Sequence, residues 1–150
     1  MTIHRHPSRI EPWKGWRIII LFECAIAGSV VAFTLARLLA GDNGAPTPDV
    51  TAGLATVLGG IGGAVGSLIL AGGYGLPGRR GWLFAVLCSL IAPPLAGGVG
   101  GTLMMPGPGT LIGAYFPLWT FYYPQSLGLW LICLVLIHLH ARRLRSGHFM

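Results

Sequence analysis

From Val50 to Tyr74 the chain runs for twenty-five residues without a charged side chain. A helix rises 1.5 Å per residue, so about 20 residues cross the ~30 Å hydrocarbon core of a bilayer. Apolar runs recur at about 16–39, 82–103 and 124–141. A chain of 150 residues cannot bury four such segments in its own interior. It is 53% hydrophobic and 9% charged, whereas a soluble domain carries about 25% charged residues. The predicted fold is all-α: a single membrane domain over 1–150, built as an integral membrane four-helix bundle with spans at about 16–39, 50–74, 82–103 and 124–141.

The charges are placed as a membrane topology requires. Nine of the ten Lys and Arg residues fall in three short polar segments: Arg5, Arg9, Lys14 and Arg17; Arg79 and Arg80; and Arg142, Arg143 and Arg145. Each segment flanks an apolar run, and basic flanks face the cytoplasm. Both termini and residues 76–81 are therefore expected inside, with 41–49 and 104–123 outside, in a bacterial inner membrane. The net charge of +6 is accounted for by this placement, and no nucleic-acid partner is expected. The run from Ile18 to Ala36 is longer than the apolar part of a signal peptide, about 7–15 residues, and no Ala-x-Ala follows it, so it reads as an uncleaved helix.

Turn chemistry separates the spans. GDNGAPTPD over 41–49 stops a helix with glycine and proline, and LPGRRG over 76–81 is a tight basic turn. Pro93 and Pro94 fall in mid-span. Proline removes a donor and crowds the preceding turn, so a kink or helix break is expected there, with the carbonyls of Ser89 and Leu90 left to other partners. Residues 104–123 open on MMPGPG and continue as an apolar, aromatic stretch too short to span. They read as an outer interfacial or re-entrant segment, or alternatively as the start of one long fourth helix near Thr110. Tyr115, Trp119, Tyr122 and Tyr123 suit an aromatic belt.

Candidate functional residues are few. Gly59 and Gly63, Gly62 and Gly66, and Gly97 and Gly101 are each four apart, a spacing that puts two glycines on one helix face for close packing, within the chain or between copies. Glu23 lies inside the first span, where a carboxylate is costly and marks a functional site. Its depth, counted from the helix ends, matches that of Ser67 and Ser89, so its carboxyl is expected to meet Ser67, Ser89 or a carbonyl near Ser89. Arg37 is expected to snorkel to the outer headgroups. His138 and His140 point to opposite sides of one helix and cannot share a metal; His4, His6 and His148 lie in the tails. Cys24, Cys88 and Cys133 sit in different spans, without CxxC spacing, and read as buried thiols. Catalytic residues, a metal site and a cofactor are not expected, because no nucleophile–base pair, phosphate loop or dinucleotide fingerprint is present.

Four short-looped helices with a carboxylate in the first resemble the small multidrug-resistance transporters. The likeness rests on Glu23 with Ala27 and Gly28, and it implies proton coupling at Glu23. The chain is longer at both ends than that pattern and adds the Pro93–Pro94 pair. The expected function is a small non-enzymatic accessory, assembly or structural subunit of a larger membrane complex, partnered by lipid and by another membrane protein or itself. The alternative is a homo-oligomeric transporter or channel that uses Glu23 for proton or cation coupling.

Overall fold

The structure is a computed structural model that describes residues 13–42 and 49–146. The expectations for the N-terminal tail, for the turn at 43–48 and for the last four residues, including His4, His6 and His148, lie outside the described residues. Among the described residues the fold is all helical. Its elements are α1 (Trp13–Asp42), α2 (Asp49–Leu70), α3 (Gly78–Met104), α4 (Pro108–Tyr115) and α5 (Pro124–Arg145), with 3-10 segments at Ala71–Gly73 and Phe116–Phe121. Four helical stretches, Gly15–Gly41, Thr51–Gly73, Gly78–Met104 and Pro124–Arg145, are long and apolar enough to cross a membrane, which is consistent with a small membrane protein.

α1, α3 and α5 extend beyond the apolar runs, whereas α2 ends at Leu70, short of Tyr74. α3 starts at Gly78 rather than near Trp82, and α5 continues to Arg145 rather than stopping at Ala141. Arginine is a good helix former, so basic residues mark the edge of the apolar segment without ending the helix. Between α2 and α3 the chain tightens into the 3-10 turn and passes through Gly75 at φ 76°. Only glycine fits there: a Cβ on Gly75 would also lie 2.6 Å from the Ala141 backbone carbon, so the turn sits directly on α5.

α1, α2, α3 and α4 pack as successive neighbours through glycine. A Cβ on Gly28 or Gly63 would overlap backbone on the facing helix, Gly59 carbonyl and Cys24 carbonyl respectively. On its other face α2 presents Gly62 to the Ala96 carbonyl of α3. α3 then presents Gly97 and Gly101 to the Gly113 and Gly109 carbonyls of α4. Those pairings rise on one helix as they fall on the other, so α4 folds back antiparallel along the end of α3. A 2.7 Å hydrogen bond between the Thr102 and Thr110 hydroxyls ties the pair. The stretch 104–123 is thus neither a loop nor the start of one long helix, since α4 passes into a 3-10 segment before α5 begins at Pro124.

The expected helix break at Pro93 and Pro94 does not occur; α3 is helical through both. The reason lies on α5. Pro93 cannot donate to the Ser89 carbonyl, and the Trp130 indole N–H donates to that oxygen instead, at 3.2 Å. Neighbouring helices that re-satisfy freed backbone are what make proline tolerable in a membrane helix.

α5 closes the bundle at one end. Leu134, Ile137 and Ala141 pack with Ile20, Ala71, Tyr74 and Ala85 in a buried core. Arg145 fastens that end: its guanidinium donates to the Gly72 carbonyl at 2.8 Å and lies 4.6 Å over the Trp16 ring.

Candidate functional site

Two polar groupings sit inside the bundle. The first joins α1 to α5, where the Glu23 carboxylate pairs with His140 Nδ1. The second Glu23 oxygen, Oε2, is buried with no hydrogen-bond partner among the described residues. This corrects the expected partnership with Ser67, Ser89 or a nearby carbonyl. Ser67 donates within its own helix to the Ala64 carbonyl at 2.7 Å. The Ser89 hydroxyl shares a 2.9 Å hydrogen bond with the Tyr74 hydroxyl, and the Ser89 carbonyl holds Trp130. The depth count placed the end of the last helix at Ala141, with His140 at the membrane edge. With α5 continuing to Arg145, His140 lies within the helix and reaches Glu23.

His138, two residues away, faces elsewhere. It is fully buried, its Nδ1 accepts the Gly75 N–H at 3.3 Å, and its ring lies 4.2 Å from that of Trp82. Cys24, Cys88 and Cys133 are free and half-buried.

The second grouping borders a half-enclosed cavity of about 680 Å³, walled by α1, α2, α3, α4, α5 and the 3-10 segment at 116–121. Among the described residues, no charged side chain lines it. Tyr74, Ser89, Ser67 and Trp130 gather at one end. Met104, Leu54 and Thr51 lie at the other, since α2 and α3 run antiparallel with Gly73 against Cys88 and Gly100 against Leu58. Thr120 is a wall residue, wholly buried, whose hydroxyl has no hydrogen-bond partner among the described residues. Apolar walls of this kind hold hydrocarbon more readily than water.

No protein-family model matches this chain, and no curated protein or solved structure is similar to it.

The functional residues therefore stand on their own chemistry. Gly59, Gly62, Gly63, Gly97 and Gly101 meet neighbouring helices of the same chain, so those faces are already occupied and are not available to a second copy. Gly66 differs: the nearest atom to a Cβ there is the Ala92 carbonyl oxygen at 4.0 Å, and it lines the cavity. The sequence reading does not single out Tyr74, Thr120 or Trp130, and it weighs His140 only as a metal ligand. Trp130 carried a readable signal, because an indole in mid-span must place its N–H on an acceptor. Gly109 and Gly113 carried another, the same spacing of four seen at Gly97 and Gly101.

Proposed function

We propose that the protein is a small integral membrane protein without catalytic chemistry of its own, an accessory or assembly subunit of a larger membrane complex. Its basic flanks support an orientation with both termini in the cytoplasm, and a bacterial inner membrane is the proposed location. The observation that carries the reading is the exposure of α1. Only 11% of its apolar window is buried, against 22–28% in the other three spans. Phe22, Ile26, Val30 and Phe33 follow helical spacing along one face and are all exposed. A peripheral span with an open apolar face supports docking on another membrane helix, held by van der Waals packing.

Photocrosslinking groups at positions 22 and 26, activated in native membranes, test this. The expected result is a discrete adduct with one membrane protein that weakens in Phe33→Ala. Adducts with lipid alone overturn the reading. Cysteine labelling checks the topology: position 44 should react from the outer side, and labelling only from the cytoplasm refutes the orientation.

The Glu23–His140 pair favours a second reading, a homo-oligomeric transporter or channel coupled to protons or cations, since intramembrane acid–base pairs mark ion paths. Proteoliposome flux that falls in both Glu23→Gln and His140→Gln supports it; absence of flux across a broad solute panel removes it.

A further inference from the structure

The cavity assigns a ligand class on three grounds: its shape, its charge and the position of its hydroxyls. It follows α3 from Ser89 to Met104, roughly 22 Å along the helix at 1.5 Å per residue. Its volume is drawn out over that length, which matches the reach of an extended hydrocarbon chain.

Among the described residues the walls carry no charge, so a charged headgroup lodged inside would be desolvated without compensation. Hydroxyls are confined largely to one end. Tyr74 and Ser89 share one hydrogen bond, which uses one of their two hydroxyl protons and leaves the other free to donate. That donor matches a neutral acceptor oxygen. The end methyl of an acyl chain inserted tail-first would leave it unmatched.

We propose that the cavity binds a long-chain, uncharged amphiphile with a hydroxyl or carbonyl oxygen at one end. The head lies at Tyr74 and Ser89, and the chain runs toward Met104. This site is independent of the accessory-subunit reading, since it lies within the bundle while the docking face is the open side of α1.

The test uses the full-length chain purified in mild detergent and a photoreactive octadecanol as probe. Unlabelled octadecanol, octadecane, stearate and a phospholipid compete, and adducts are mapped by peptide mass spectrometry. The expected result is saturable labelling of wall peptides, with octadecanol competing at least about tenfold better than octadecane or stearate. Tyr74→Phe combined with Ser89→Ala should erase that preference while leaving octadecane unchanged, and Ala55→Phe, which fills the cavity, should abolish labelling. Equal competition by octadecane overturns the head-group assignment. Stronger competition by phospholipid makes a bilayer acyl chain the occupant and overturns the proposal. So does labelling confined to the outer faces of the spans. The wild-type competition decides the matter even where a variant fails to fold.

Discussion

The two ends of the bundle are held together in different ways. At the end where α5 terminates, large side chains interdigitate: Ile20, Tyr74, Leu134 and Ile137 fill the space between helices. Toward the other end α1 meets α2, α2 meets α3 and α3 meets α4 through glycine, backbone on backbone. Glycine faces join helices strongly in pairs but contribute no side chains to the middle. Three such contacts in a row, with α5 packed mainly at the far end, leave the centre unfilled. The cavity is a geometric product of the same glycines that hold its walls.

Substitutions can break or sharpen that contrast. The largest effect is expected at Gly62, where any Cβ overlaps the Ala96 carbonyl. Gly62→Leu must separate α2 from α3, and a loss of about 3 kcal/mol or more is expected from overpacking, read by SDS titration with circular dichroism. Unchanged stability would mean the glycine contacts do not hold this end. Trp130→Phe comes next. It keeps an aromatic ring but leaves the Ser89 carbonyl beside Pro93 without its donor. An unsatisfied buried carbonyl predicts a loss of about 2 kcal/mol in the same titration; an effect under a few tenths would show that α3 tolerates Pro93 unaided. His140→Gln should cost about 1 kcal/mol, since the pair is partly exposed and glutamine can still hydrogen-bond Glu23. His140→Leu should cost distinctly more, and equal losses in the two would deny the pair a polar role. The smallest effect has the opposite sign. Gly66 faces the cavity with room for a Cβ, and alanine is the better helix former, so Gly66→Ala should stabilise by about 0.5–1 kcal/mol. Destabilisation there would mean the cavity wall is tighter than its contacts indicate.

Much of this architecture could be read from the residues. Four apolar runs with basic flanks dictate four helices, and the pairs at Gly59, Gly62, Gly63, Gly97 and Gly101 mark where helices approach. Other features are tertiary and escape a linear reading. Pro93 and Pro94 disfavour a helix locally, yet α3 runs through both, and the Trp130 indole, forty-one residues after Ser89, takes up the carbonyl that Pro93 cannot reach. Glu23 was visible as an anomaly, but its partner depended on how far α5 extends past Ala141, which arginines in the sequence obscure by marking the membrane edge. The cavity has no sequence signature, because it consists of what the glycines leave out.

The polar contacts of α5 also carry a meaning for biosynthesis. The Ser89 carbonyl, the Gly75 N–H, the Gly72 carbonyl and the Glu23 carboxylate each find their partner on this helix, at Trp130, His138, Arg145 and His140 respectively. α5 leaves the ribosome after all of them. Until it enters the bilayer, the earlier helices hold an acid, a proline-freed carbonyl and an open turn in a medium that offers few hydrogen bonds. Its arrival satisfies all four together, so a polypeptide stalled before Pro124 holds four polar groups whose partners have not yet been made.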